Sequence, residues 1–129
     1  MEVKKVTKKL RINTYDSIKY QLITEIMFFR KEHLIASDLD ILTLLVMWGP
    51  MGLNHFCANA ARELYPDTPP EELSLRSQNI RNKIVKLEKR NIIIKTKTGR
   101  KTIELNPEFD IFSKGNVLLD YNYLSVEST

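Results

Sequence analysis

The chain has 129 residues, of which 43% are hydrophobic and 28% charged, and its net charge is +4. That length suits one domain built on one core. No stretch approaches the ~18 consecutive apolar residues of a membrane span, and no apolar segment of a secretory signal opens the chain, so the expectation is a cytoplasmic protein.

The single cysteine, Cys57, excludes an intrachain disulfide and a Cys-based zinc site. It falls in a helical pattern, where a free cysteine behaves as a small buried apolar residue. His33 and His55 lie far apart, without metal-ligand spacing. No cofactor or metal is expected.

The positive charge is unevenly placed. Residues 1–12 carry Lys4, Lys5, Lys8, Lys9 and Arg11 against Glu2, and residues 76–101 carry ten Lys or Arg against Glu88 alone. The rest of the chain is acidic. Like charges packed together repel, so such blocks answer an external anion unless they merely form a solvated face.

In chain order, residues 1–12 read as a flexible basic arm turning into a short strand near Leu10 and Ile12. Asp16 offers an N-cap for a helix over 17–32. Its apolar positions Ile18, Leu22, Ile23, Ile26, Met27 and Phe29, widened by Phe28, form a stripe broader than a peripheral helix needs. That stripe is either core or an interface with a partner.

Ser37 and Asp40 have the spacing of an imperfect capping box. The helix they open, from Leu39 to Trp48, is apolar nearly all round and so belongs at the centre. Gly49-Pro50-Met51-Gly52 ends it in a turn. In the third helix, 53–64, Leu53, Phe56, Cys57, Ala60, Ala61 and Leu64 repeat at helical spacing. A proline-rich loop, about 65–74, follows. Ser74 then caps a fourth helix over 75–90, with Ile80, Ile84 and Leu87 inward and Val85 flanking.

Asn91 stops that helix, since Asn tolerates the left-handed conformation of a C-terminal cap. Residues 92–97 and 100–105 read as two strands joined by a Thr98-Gly99 turn. Asn106-Pro107 closes the hairpin. After Lys114-Gly115-Asn116, the tail carries Val117, Leu118, Leu119, Tyr121, Tyr123 and Leu124. The expected organisation is an arm at 1–12, a domain at 13–107 and an extension at 108–129.

The run from Ser77-Gln78-Asn79-Ile80-Arg81 to Leu87-Glu88-Lys89-Arg90-Asn91-Ile92-Ile93 resembles the recognition helix of winged-helix bacterial and phage DNA-binding proteins. The strand-turn-strand after it resembles their wing. The resemblance covers about 37–107. Asn91 stands where that family usually has Gly, and the loop before the fourth helix is longer than a compact helix-turn-helix uses.

The resemblance implies a mainly α fold with a small β-hairpin wing: a winged helix-turn-helix with an extra N-terminal helix and a basic N-terminal arm. It implies double-stranded DNA as partner and a role as transcriptional regulator or replication accessory factor. Arg76, Ser77, Gln78, Asn79, Arg81 and Asn82 occupy the helix start that enters a major groove. Of these, Gln78, Asn79, Arg81 and Asn82 suit base edges. Lys83, Lys86, Lys89 and Arg90 suit phosphates, and Lys95, Lys97, Arg100 and Lys101 line the wing. The basic arm, Lys4 to Arg11, suits the same role.

A homo-oligomer is expected, with helix 17–32 and tail 117–124 as candidate contacts. The alternative is a phage virion or assembly protein that docks subunits through the same fold, acting in the host cytoplasm or the virion. No phosphate loop, paired carboxylate site, Ser-His-Asp order or metal cluster appears, so no enzyme is expected. Asp38 and Asp40 fall in the first turn of a helix, where acids complement the dipole.

Overall fold

The computed structural model describes residues 2–96, 101–111 and 117–127. It is mainly helical with a small two-stranded antiparallel hairpin, an arrangement compatible with a winged helix. The elements are strand β1 (Glu2–Ile12), helix α1 (Thr14–Leu22) running into a π-helical segment (Ile23–Phe29), α2 (Ala36–Trp48), α3 (Leu53–Leu64), a 3-10 turn (Pro70–Glu72), α4 (Leu73–Lys89), β2 (Ile93–Lys95), β3 (Ile103–Leu105) and β4 (Val117–Glu127).

The core gathers one seam from each helix. Ile18, Leu22 and Ile26 come from the first helical segment, and Phe56, Cys57, Ala60 and Ala61 from α3. Ile80, Ile84 and Leu87 come from α4, and Ile92, Ile93 and Ile103 from the hairpin. They surround α2, which buries Leu39, Ile41, Leu42, Thr43, Leu44 and Leu45. Each fully buried Leu or Ile contributes roughly 1.5–3 kcal/mol relative to exposure. The one polar side chain among these buried residues is satisfied locally: Thr43 Oγ1 donates to the Leu39 carbonyl at 2.6 Å.

Helix starts depart from the sequence expectation. The N-cap of α1 is Asn13, not Asp16: Asn13 Oδ1 accepts from the Asp16 backbone N–H at 2.8 Å. The N-cap of α2 is Ile35, not Ser37, and Asp38 reaches back to accept from the Ile35 N–H at 3.2 Å. Asp40 takes no part in capping. It accepts from the Tyr15 hydroxyl at 2.9 Å and from Lys19 Nζ at 3.1 Å, tying α1 to α2. Ser74 lies inside α4, which begins at Leu73 directly after the 3-10 turn, so the loop before it is shorter than expected.

The helix expected over 17–32 changes winding at Ile23 and ends at Phe29. In a π-helix the hydrogen bond spans i to i+5 and each turn takes up more than four residues, so position i+3 falls away from the face of i. Phe29 therefore does not follow Ile26 into the core. Ile18, Leu22 and Ile26 are buried and Met27 partly so, while Ile23, Phe28 and Phe29 stay exposed. The broad stripe thus divides into a core seam and a surface patch.

Gly49, at φ 80°, ends α2 in a conformation that favours glycine. The chain then turns so that Met51 and Ile103 exchange backbone hydrogen bonds, Met51 N–H to the Ile103 carbonyl at 3.4 Å and Ile103 N–H to the Met51 carbonyl at 2.9 Å. This bridge, absent from the sequence reading, fastens the hairpin to the turn between α2 and α3.

β1 and β4 pair antiparallel along eleven residues each, from Glu2 opposite Glu127 to Ile12 opposite Val117. The arm is therefore strand from Glu2 onward, not a flexible segment with a short strand at its end, and its neighbour is the tail.

Candidate functional site

α4 is held by its Ile80, Ile84 and Leu87 seam, and α3 packs along it. Its C-terminus is closed as the sequence predicts. Asn91 adopts φ 60°. Its N–H donates to the Glu88 carbonyl and the Ile92 N–H to the Leu87 carbonyl, both at 3.0 Å. These two bonds form a Schellman motif, with Ile92 and Leu87 buried together beside it. Asn106 then ties the hairpin to this cap: its Nδ2 donates to the Asn91 carbonyl at 2.8 Å and its N–H to the Ile92 carbonyl at 2.9 Å.

With that seam inward, Leu75, Gln78, Asn82, Lys86 and Lys89 lie exposed along the opposite side of the helix. Gln78 Nε2 donates to Asn82 Oδ1 at 3.0 Å. The pair leaves the Gln78 carbonyl oxygen as an acceptor and both Asn82 amide hydrogens as donors. An acceptor beside a donor is the complement of the N6 and N7 edge of adenine.

The other candidates are less free. The Arg76 guanidinium stacks over the Tyr65 ring, 4.5 Å from its centroid. Arg81 donates to the side-chain oxygen of Asn54 on α3. Ser77 is half-buried on the core side. Asn79 and Lys83 line a shallow pocket with Ser37, Asp40 and Tyr65. Arg90 donates to the Glu32 carboxylate at 2.9 Å and to the His33 carbonyl at 2.6 Å, so it staples the end of α4 to the segment after the π-helix. Lys95 sits 3.4 Å from Glu88. Lys101 is exposed, and Thr96 and Thr102 pair across the hairpin base, where the Thr96 N–H donates to the Thr102 carbonyl at 2.8 Å. Lys97 and Arg100, with the Thr98-Gly99 turn, lie outside the described residues, as does Lys114-Gly115-Asn116.

Asn54 and Tyr65 are the residues that sequence reasoning missed. They fix the direction of Arg81 and Arg76 from 27 and 11 positions away, and no local pattern announces such partners. Among the described residues, two groups titrate away from their ordinary values. Burial, then the hydrogen bond to Asp40, pushes the Tyr15 phenol up. Burial pushes the Cys57 thiol up, partly offset by the positive charge of Arg81. Among the described residues, no helix is long and apolar enough to cross a membrane. Compared with known proteins, the chain matches no family model, no curated protein and no solved structure.

Proposed function

We propose that this protein binds double-stranded DNA in a winged-helix manner, as a transcriptional regulator or replication accessory factor. The exposed side of α4 meets the groove and the β2–β3 hairpin meets the flanking backbone. The observation that carries the reading is the strip Gln78, Asn82, Lys86 and Lys89, exposed along one side of a rigidly capped helix in a segment with ten cations and one acid. The linked amides of Gln78 and Asn82 suit base edges, and Lys86 and Lys89 suit phosphates. Arg81, directed to Asn54, and Arg90, directed to Glu32, serve chiefly to present the helix.

The test is fluorescence anisotropy of random-sequence duplex DNA across a salt series. The expected result is binding that falls steeply with salt, and a Lys86→Ala/Lys89→Ala variant whose slope of log K against log salt is shallower by about 1.8, since each lost phosphate contact removes about 0.9. Absence of binding by the unsubstituted protein at low salt overturns the reading.

One observation favours a second reading, an assembly protein of a phage virion. Phe28 and Phe29 are 69% and 65% exposed with their ring centroids 5.3 Å apart, and Tyr20 and Ile23 in the preceding turns are exposed too. An apolar patch of this kind suits docking to another protein. A discrete particle larger than a dimer, with no salt-dependent DNA affinity, would give that reading the lead.

A further inference from the structure

The ribbon of β1 and β4 is a separate two-stranded sheet; among the described residues, no strand pairs with the outer edge of either. A two-stranded ribbon standing alone is marginal in water. An open strand edge is a template for further pairing, and natural sheets blunt such edges, most often with lysine.

The two edges of this ribbon are treated differently. β1 carries Lys4, Lys5, Lys8, Lys9 and Arg11 in its eleven positions. β4 carries no Lys or Arg, and its only charges are Asp120 and Glu127. Its remaining positions are rich in residues that favour strands, including Val117, Tyr121, Tyr123 and Val126.

Self-pairing separates the two strands further. Joining β1 antiparallel to its own copy about Val6 and Thr7 sets Lys5 opposite Lys8 and Lys4 opposite Lys9. Moving the centre to Thr7 sets Lys5 opposite Lys9. Like charges directly opposite destabilise a strand pair. Joining β4 to its own copy about Asn122 keeps the whole strand in register: Tyr121 falls opposite Tyr123, Asp120 opposite Leu124, Leu118 opposite Val126 and Val117 opposite Glu127. No like charges meet, and aromatic positions face each other across the centre.

We infer that the protein is a homodimer joined by β4 against β4 of a second copy. The shared sheet has the order β1-β4-β4-β1, with a two-fold axis at Asn122. Such an interface is isologous and closes on itself. The outer edges of the sheet are then the two lysine-rich β1 strands, which resist further addition. A second copy is the occupant because the β4 edge pairs with itself along its whole length without like charges meeting, whereas β1 in its two longest registers sets lysines opposite one another. The inference does not rest on the DNA reading, and its test contains no DNA.

The experiment takes the full-length protein at micromolar concentration. Light scattering is expected to give twice the 15.1 kDa chain mass. Asn122→Lys sets two lysines face to face on the axis, and the mass should fall to that of one chain with the far-ultraviolet circular dichroism unchanged. Independently, Asn122→Cys should form an intermolecular disulfide on mild oxidation, because directly opposed antiparallel residues have Cα atoms about 4.5–5.5 Å apart, within disulfide reach. The unsubstituted protein, whose Cys57 is buried, and a Lys8→Cys variant on β1 should not crosslink. The inference is overturned by a monomeric unsubstituted protein, by a folded Asn122→Lys variant that keeps the doubled mass, or by crosslinking through Lys8→Cys in place of Asn122→Cys. The last two results would assign the contact to the Phe28 and Phe29 patch or to the β1 edge.

Discussion

α2 and α4 are the first and last helices of the unit α2–α3–α4, of 13 and 17 residues, and they use their surfaces in opposite ways. α2 buries five successive residues from Ile41 to Leu45, so neighbours cover nearly every side of it. α4 buries only Ile80, Ile84 and Leu87, with Leu73 packed partly against the core and the rest polar, basic or solvent-facing. α2 is the post around which the other elements close. α4 is clamped along one seam and at its capped end, and the side opposite that seam faces solvent. A helix wrapped on all sides has no surface to give a ligand, whereas one held by a single seam keeps its opposite side exposed.

The sharpest way to break this comparison is to compare truncations on the two helices. Leu42→Ala, at a fully buried position of α2, should destabilise the protein by about 2–5 kcal/mol, because the lost contacts leave a cavity that surrounding helices fill only partly. Lys86→Ala on the exposed side of α4 should move stability by less than about 0.5 kcal/mol. Urea unfolding of both variants measures the difference. Equal losses would mean that α4 is held by more than its seam.

The next effect tests the junction between α1 and the post. Tyr15→Phe removes a hydrogen bond to the Asp40 carboxylate, worth about 1.5–3 kcal/mol for a charged acceptor. Its pH dependence carries the same information. The folded phenol is raised above its unfolded value of 10.0, so its contribution is fully present below pH 10 and fades as pH rises above it. The stability gap between the unsubstituted protein and Tyr15→Phe should therefore shrink on the alkaline side of pH 10. A gap constant through that range would separate Tyr15 from Asp40 energetically.

At the other helix, Asn91→Ala should cost about 1 kcal/mol, since alanine pays the left-handed penalty that asparagine largely escapes. Asn91→Gly should match or exceed the unsubstituted stability. Thermal unfolding decides between them, and an alanine variant as stable as the glycine one would show that the cap contributes nothing.

Much of this is legible in the sequence. The apolar spacing of Leu53 to Leu64 marks α3 at both ends, the unbroken apolar run marks α2 as central, and Asn91 announces its own conformation. The helix starts were not legible, because Asp16, Ser37 and Asp40 are each competent caps in isolation. Which one caps depends on partners far along the chain, as when Tyr15 and Lys19 draw Asp40 away. The π-helical winding that exposes Phe28 and Phe29 leaves no periodic mark over seven residues. The pairing of β1 with β4 and the Met51–Ile103 bridge both join segments far apart in the sequence. Within the candidate site, charge alone cannot distinguish a cation offered to solvent from one already engaged. Lys86 and Arg90 look equivalent in the sequence, and only the Glu32 carboxylate and the His33 carbonyl separate them.

That last distinction yields the smallest effect. The Arg90–Glu32 pair is partly exposed, with side chains 34% and 46% accessible, so solvent and salt screen most of its Coulomb energy. Arg90→Gln should cost no more than about 1 kcal/mol, and part of that should disappear at high salt. Its effect on the salt slope of DNA binding should be near zero, because a guanidinium already directed to a carboxylate and a carbonyl releases few counterions on meeting phosphate. Lys86→Gln should show the reverse, with stability unchanged and the slope shallower by about 0.9. Measuring both quantities on both variants is what gives the contrast force. If Arg90→Gln flattens the slope as much as Lys86→Gln does, the staple opens when DNA arrives, and the boundary between the clamped and the offered parts of α4 has been drawn one turn too early.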